Sequence, residues 1–207
     1  ALVPLRYFLE LTYRCNLNCP YCYVGSERNK EELTTKDWKN VINQIPLYGI
    51  ITLVGGEPLL RNDFEEILDY SSKRVFRKVH VVSNGILLNE SKIDAFKKSK
   101  PVLLSVSLDG YGENHDNNRG KEGIFDKIIY NLETLKSAAP NQMIDIKTIV
   151  LENNLDDLVK LYQLCEKMKF NFLSISFLRN NCWKQNSILQ ESFIPEYTEN
   201  YPVKRYF

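Results

Sequence analysis

The sequence has little that would place the chain in a membrane, outside the cell or on a nucleic acid. No apolar run in it approaches the ~20 residues needed to cross a bilayer. Its first residues do not resemble a signal peptide. The formal net charge is only +1, which gives no reason to expect a nucleic acid or an anionic membrane as a partner. These absences predict a cytoplasmic protein that binds neither.

Cysteine is scarce, and its distribution is uneven. The chain has five cysteines, an odd number, and three of them lie within eight residues at Cys15, Cys19 and Cys22. A disulfide framework would distribute an even number of cysteines along a shorter chain, so this cluster indicates metal or redox chemistry instead. Cys165 is predicted to be a buried hydrophobe on a helical face shared with Leu155, Leu158, Leu161 and Tyr162. Cys182 is interpreted as a surface residue in preference to a ligand of a second cluster.

Strand-like and helix-like segments alternate along the first 180 of the 207 residues. Aromatic and β-branched runs predict six strands, at 6–13, 50–54, 78–83, 102–108, 144–151 and 172–178. Amphipathic segments predict helices between them, at 35–45, from 64 onward, and at 91–98, 124–137 and 155–169. This order predicts an α/β fold with a parallel sheet and crossover helices. We predict a core domain at 1–180 and a tail at 181–207, which we interpret as the possible start of a missing extension.

Polar residues and glycines collect where the first four predicted strands end. The cysteine cluster follows the first strand, the sequence GGEP the second, SNG the third and SLDG the fourth. Parallel α/β folds bind ligands at the carboxyl ends of their strands, so a site is expected there. On the fourth strand, alternation places Ser105, Ser107 and Asp109 on the inner face, with Val106 and Leu108 towards the helices. Since buried polar groups need partners, a ligand would explain them.

The cysteine loop is open to several interpretations when its residues are considered alone. Three thiolates in the spacing C-x3-C-x2-C can hold three irons of a cubane cluster and leave the fourth iron open to a substrate. The CPYC segment alone is also a dithiol of the glutaredoxin type. A structural zinc site would need His80 or His115 as its fourth ligand. Three unrelated cysteines in one exposed loop would be an oxidation liability.

Together, the cysteine spacing and the segment Gly55-Gly56-Glu57-Pro58 resemble the radical S-adenosylmethionine (SAM) superfamily over nearly the whole predicted core domain. The resemblance implies a partial (β/α)6 TIM-like barrel of parallel strands with outer helices. It also implies that Cys15, Cys19 and Cys22 hold a [4Fe–4S] cluster whose open iron chelates SAM. The reduced cluster would cleave SAM to a 5′-deoxyadenosyl radical, which abstracts hydrogen from a substrate.

The same resemblance assigns SAM contacts to the other strand-end motifs. It implies that GGEP (Gly55, Gly56, Glu57 and Pro58) cradles the SAM amino group, that Tyr21 lies near the adenine, and that Ser83 and Asn84 reach towards SAM or substrate. Ser107 would bind the SAM carboxylate, with Asp109 on the same face and Arg119 contributing to that subsite. The structural alternatives are a strand-ending turn for the two glycines and a solvated loop charge for Arg119. No residue that acts directly on the substrate is identified from the sequence.

The pattern SLDG followed by HD..R resembles, within that superfamily, the subgroup that carries a cysteine-rich SPASM or twitch extension. Members of that subgroup commonly modify peptides or proteins, so the resemblance implies such a substrate and an electron donor such as flavodoxin or ferredoxin. Beyond Cys182 the sequence has no cysteine, so an auxiliary cluster is not evident. The alternatives are a small-molecule enzyme of cofactor biosynthesis and a non-catalytic iron–sulfur protein. An intact GGEP disfavours the latter, since electron transfer needs no amino-group cradle.

Overall fold

The computed structural model describes residues 4–22, 24, 31–76 and 78–177, and the structural statements below concern these residues. They form one parallel sheet of six strands, in the order in which the strands occur along the chain. The strands are β1 (Arg6–Glu10), β2 (Ile50–Val54), β3 (Val79–Ser83), β4 (Leu103–Ser107), β5 (Ile144–Val150) and β6 (Phe172–Phe177). The helices are α1 (Thr35–Asn43), α2 (Phe64–Arg74), α3 (Glu90–Ser99), α4 (Glu113–Arg119), α5 (Ile124–Ala138) and α6 (Asp157–Met168). The predicted α/β fold with parallel strands is confirmed.

One face of the sheet is apolar because helices cover it. Alternate strand residues are fully buried against the helices: Ile51, Leu53, Val79, Val81, Leu104, Val106, Ile144 and Ile146. The helices contribute apolar side chains with helical spacing, such as Phe64, Ile67 and Leu68 of α2. Apolar residues recur at every second position in the strands and at helical spacing in the helices, and these two patterns predicted the fold from the sequence. No described helix has both the length and the hydropathy that a bilayer crossing requires.

Helix starts follow ordinary capping chemistry. The Thr34 side chain accepts a hydrogen bond from the Asp37 backbone N–H, and the Asp37 carboxylate accepts one in return from the Thr34 backbone. This reciprocal arrangement satisfies two N–H groups that the first turn of α1 leaves without a helical partner. At α3, the Asn89 side chain accepts from Lys92 N. At α2, Asp63 occupies the cap position, but its carboxylate binds Arg61 instead of a helix N–H.

Two local features differ from what the sequence indicates. His115 and Arg119 lie on α4, a helix that was not predicted because its polar sequence ENHDNNR has no apolar periodicity. Cys165 of α6 is buried with Leu161 as predicted, whereas Tyr162 and Leu155, which precedes α6, are about half exposed and do not belong to the buried face. Cys182 and the segment 181–207 lie outside the described residues, so their interpretation and the domain boundary stay predictions.

The inner face of the sheet is polar, and a buried hydrogen-bond network joins its strands β3 to β6. Ser105 Oγ donates a hydrogen bond to Asp145 Oδ2 at 2.6 Å, and Ser174 Oγ donates to Asp145 Oδ1 at 2.7 Å. His80 Nε2 lies 2.8 Å from Ser105 Oγ. Since the serine proton is used on Asp145, we assign the Nε2–H tautomer to His80. Ser105 is therefore buried with protein partners, and the expectation that it needs a ligand is wrong.

We expect a His80→Gln variant to resist acid better than the wild-type chain. Burial, with a smaller contribution from the positive charges of Arg6 and Lys147, lowers the pKa of His80 from 6.5 to about 4, although Asp145 opposes the shift. The unfolded chain therefore takes up a proton before the folded one, so the stability contribution is present above pH 6.5 and is lost as the pH falls towards 4. At 1.36 kcal/mol per pKa unit, the loss is about 3 kcal/mol.

The measurement is urea unfolding across that pH range. A glutamine amide can still donate to Ser105, so the variant removes the titrating ring and keeps its hydrogen bond. Equal pH dependence in the two proteins would contradict the assignment of a buried neutral imidazole.

Candidate functional site

The cysteine loop (residues 11–22) is joined to the end of β2 by direct backbone contact. Gly56 N–H donates to the Thr12 carbonyl at 2.7 Å, beyond the last paired residue of β1. A Cβ on Gly55 would lie 2.3 Å from the Thr12 oxygen, and one on Gly56 would lie 2.2 Å from the Arg14 oxygen. Neither distance is sterically possible, so the close approach of the cysteine loop explains both glycines. Their contact with SAM stays a prediction.

Glu57 ties the ends of β2 and β3 together. Its carboxylate is fully buried, and it accepts hydrogen bonds from Leu59 N at 3.0 Å, Ser83 Oγ at 2.8 Å and Asn84 N at 2.7 Å. Burial raises its pKa to about 7, although these three donors oppose the shift. A carboxylate has about four acceptor positions, so one stays open on Oε2, which receives only the Asn84 N–H. Pro58 starts the short 3₁₀ turn that follows.

Asn84 carries the contact from β3 to the cysteine loop. Its Nδ2 donates to Asn16 Oδ1 at 2.7 Å and lies 4.0 Å from Cys15 Sγ. Cys15 Sγ also accepts the backbone N–H of Leu17 at 3.4 Å. Asn84 Oδ1 accepts from Ile86 N at 3.0 Å, which orients the amide. The first of the three predicted ligands is therefore held by the end of β3, whereas the reach of Asn84 towards SAM or substrate stays a prediction.

Asp109 makes the corresponding contact from the end of β4. Its Oδ2 accepts the Tyr21 hydroxyl at 2.7 Å and lies 2.5 Å from Arg119 Nη2. Its Oδ1 accepts the Ile149 backbone N–H of β5 at 2.8 Å. Burial and the neighbouring carboxylate raise the pKa of Tyr21, so its phenol keeps the proton that it donates. Asp109 is thus buried with protein partners, and the expectation that it needs a ligand is wrong. Its contact and that of Tyr21 with SAM stay predictions.

Arg119 lies against the second predicted ligand. Its Nη1 is 3.7 Å from Cys19 Sγ, and its guanidinium carbon lies 5.8 Å from the centroid of the Tyr21 ring. The side chain is 13% exposed and is paired with Asp109, so it is a buried ion-pair partner, not a solvated loop charge. Burial raises the pKa of Cys19, and the charge of Arg119 opposes that rise. The expected contact of Arg119 with the SAM carboxylate stays a prediction.

Ser107 is positioned differently from the other predicted residues. Its side chain is half-buried on the inner face of β4, where it is the register partner of Lys147 on β5. It therefore faces the interior of the sheet, and the assignment of the SAM carboxylate to it stays a prediction.

Several residues to which the sequence analysis gave no part in the SAM site hold the motif in place. Asn118 Nδ2 donates to the Asp109 carbonyl at 2.6 Å, and His115 Nδ1 accepts the Asp109 N–H at 3.0 Å. Asp116 accepts from two backbone N–H groups at the start of α5. The motif HD..R drew attention to this segment in the sequence. Its spacing alone does not indicate that these side chains form hydrogen bonds with the Asp109 backbone. A helical reading of α4 would have placed His115 and Asn118 on one side.

The donor set at the cysteine loop fits an iron–sulfur cluster. Three thiols lie on one partly buried loop. Burial raises the pKa of Cys15 and of Cys19, and the N–H groups of Leu17 and Arg119 that point at these sulfurs oppose the rise. Among the described side chains, no three His, Cys, Asp or Glu are arranged to hold a single metal ion. A cubane does not require that convergence, because each cysteine binds a different iron.

Known proteins resemble this chain in sequence. The family model of the Radical SAM superfamily matches residues 9–165. AdoMet-dependent heme synthase of Methanosarcina barkeri is 36% identical over 164 residues, which is 77% of this chain and 46% of the relative. Sporulation killing factor maturation protein SkfB of Bacillus subtilis is 30% identical over 168 residues, which is 80% of this chain and 40% of the relative. The chain thus spans less than half the length of these relatives.

A solved structure resembles it in fold. Streptococcus suis SuiB bound to S-adenosylmethionine matches with a TM-score of 0.76 and 19% identity, over 85% of this chain and 40% of that one. At this identity the likeness concerns the fold, and it confirms the expected partial barrel.

We expect Gly56→Ala to destabilise the protein and to displace the cysteine loop. The new methyl group would meet the Arg14 carbonyl, a backbone atom that cannot rotate away, so the cost is about 3 kcal/mol. Gly123→Ala is the matched control, because a Cβ there meets open space and costs only the ~1–2 kcal/mol of a positive φ. Urea unfolding and iron content after reconstitution measure both effects. Equal losses in the two variants would show that the close approach is not what constrains Gly56.

Proposed function

Since the chain belongs to the radical SAM superfamily, we propose that it binds a [4Fe–4S] cluster and SAM and acts as a radical SAM enzyme on a peptide or protein. When bound, these cofactors supply a 5′-deoxyadenosyl radical that removes a hydrogen atom from an unactivated carbon. The observation that carries the proposal is the single hydrogen-bonded assembly of the cysteine loop, GGEP and SNG at the carboxyl ends of β1 to β3. An electron donor such as flavodoxin or ferredoxin belongs to the proposal.

Cys15, Cys19 and Cys22 would hold the cluster and leave one iron without a protein ligand. The Leu17 N–H and the Arg119 guanidinium donate to two of the sulfurs, which lowers the cost of keeping the thiols deprotonated. Partial burial of the loop limits access of water and oxidants to the sulfurs.

The residues around the loop would bind and orient SAM. Glu57 has an acceptor position left on a buried carboxylate, which suits an ammonium group. Ser107 offers a half-buried hydroxyl on the inner face for the carboxylate group, and Tyr21 would lie along the adenine. Gly55 and Gly56 are half-buried beside the cysteine loop and would contribute backbone carbonyls to the same ammonium site.

A peptide substrate is favoured by the similarity to SkfB, a maturation protein, and by the shape of the sheet. β1 and β6 are the two edges of the described sheet, so its inner face is not closed by pairing between them. Exposed Phe8 and Phe172 lie on these edge strands, and Lys147 adds a partly exposed charge. A mixed apolar and charged surface of this kind suits a peptide with several side chains.

A second candidate is a small-molecule enzyme of cofactor biosynthesis. The observation that favours it is the 36% identity to AdoMet-dependent heme synthase. The two candidates share the cofactor site and differ only in what occupies the inner face.

We expect anaerobic reconstitution with iron and sulfide to give a cluster that yields 5′-deoxyadenosine when it is reduced with SAM present. The triple variant Cys15→Ala, Cys19→Ala, Cys22→Ala should lose the visible absorbance of the cluster and all 5′-deoxyadenosine. Cys165→Ala is the control, since that thiol is buried in the core on α6. A wild-type protein that binds iron yet forms no 5′-deoxyadenosine would overturn the enzymatic proposal. A triple variant that keeps its absorbance would overturn the ligand assignment.

We expect a peptide encoded beside the gene to raise the yield of 5′-deoxyadenosine and to change in mass, because substrate binding completes the site. A porphyrin with carboxylate side chains serves as the comparison. Stimulation by the porphyrin alone would favour the small-molecule candidate and contradict the peptide proposal.

A further inference from the structure

We propose that Arg119 sets the reduction potential of the cluster through Cys19, and that Asp109 opposes its effect. Arg119 is then a positioning residue that acts on the electron transfer through a cluster ligand. This inference rests on the proposed function, because it concerns the cluster that Cys15, Cys19 and Cys22 would hold.

Arg119 uses two arms of its guanidinium for two different partners. Nη1 lies 3.7 Å from Cys19 Sγ, within reach of an N–H···S hydrogen bond, and Nη2 lies 2.5 Å from Asp109 Oδ2. The remaining nitrogen, Nε, is buried and has no partner among the described residues. The geometry therefore commits the charged group to a sulfur and a carboxylate.

The carboxylate that holds Arg119 is itself fixed. Asp109 Oδ1 accepts the Ile149 N–H of the neighbouring strand, and the Tyr21 hydroxyl shares Oδ2 with the guanidinium. The Asp109 carbonyl accepts the side-chain amides of Asn118 at 2.6 Å and Asn154 at 3.2 Å. With its carboxylate and its backbone both bonded, Asp109 keeps Arg119 at a constant distance from the sulfur.

A fixed cation beside a cluster sulfur stabilises the reduced cluster. Reduction adds one electron and no proton, so a positive charge and an N–H···S bond raise the potential. The Arg119 side chain is 13% exposed and that of Asp109 is 1% exposed, so water and salt screen the interaction weakly. The negative charge of Asp109 acts in the opposite direction. The pair therefore gives the cluster a potential between the values that either charge would set alone.

The surroundings of the other ligands differ. The described hydrogen-bond contacts of Cys15 Sγ are with the Leu17 N–H and with the amides of Asn16 and Asn84, which carry no net charge. Among these contacts, the hydrogen bond from a charged side chain is the one that Arg119 makes to Cys19. The cluster must pass its electron to SAM, so a potential raised too far would slow that step, and pairing with Asp109 limits the rise.

The test is the midpoint potential of the reconstituted chain, measured without SAM by a spectroscopic redox titration. We expect Arg119→Met to shift the potential to more negative values and Asp109→Asn to more positive values, each by about 59 mV, which is tenfold in a one-electron equilibrium constant. Arg119→Lys keeps the positive charge but lacks the planar guanidinium that contacts Cys19 and Asp109 at the same time. The potential of this variant should therefore lie between those of the wild type and Arg119→Met. A merely structural role would not give shifts of opposite sign.

Arg61→Met is the matched control. Arg61 is also buried, and it supports the same loop by donating to the Leu11 carbonyl at 2.9 Å, with its charge paired to Asp63 and Glu32. None of its described bonds reaches a sulfur, so its loss should lower stability and leave the potential unchanged. A shift in Arg61→Met as large as that in Arg119→Met would contradict the inference.

The outcomes separate the inference from the proposed function. A wild-type chain that forms no cluster would overturn both. A cluster that cleaves SAM but has the same potential in all variants would overturn the inference alone. If Arg119→Met retains no iron, the direction of the potential shift in Asp109→Asn decides. An unchanged or more negative potential in Asp109→Asn would contradict the proposal that the Asp109 carboxylate opposes the effect of Arg119.

Discussion

Backbone contact between the cysteine loop and Gly55-Gly56 is the constraint on which the rest of the site depends. The Thr12 and Arg14 carbonyls pack against Cα atoms that carry no side chain, at distances that no other residue would permit. This contact extends the pairing of β1 and β2 beyond the strands and fixes where the cysteines begin. Glu57 then transfers the same constraint to β3 by accepting bonds from Ser83 and Asn84.

Two buried carboxylates at this end of the sheet are held by protein partners. Glu57 is buried with three donors, and Asp109 is buried with Tyr21, Arg119 and a backbone N–H. Without partners, each of these buried charges would lower the stability of the fold by roughly several kcal/mol. Paired, they hold the strand ends in one arrangement, so the residues that we propose to bind the cofactors are supported by rigid elements and not by the loop alone.

The two faces of the sheet differ in polarity and in what packs against them. The outer face is apolar because α1, α2, α3, α5 and α6 pack on it, and its strand residues are buried. The inner face carries the network of His80, Ser105 and Asp145 and the half-buried Ser107. Within that network the buried groups bond to one another, so the proposed substrate would lie on the half-exposed part of the same face.

The sequence by itself determined the order of strands and helices, the buried Cys165 and the collection of motifs at strand ends. Period-two alternation, helical spacing and the position of glycines are local properties, and residues 50–54 and 103–107 followed them closely. Only the tertiary structure decided the partners of Ser105, Asp109 and Arg119, since those contacts join residues 25 to 100 positions apart. It also decided that ENHDNNR is a helix, because its buried polar contacts replace the apolar periodicity that sequence analysis requires. Pairing across that distance depends on how the strands lie side by side, which no local pattern encodes.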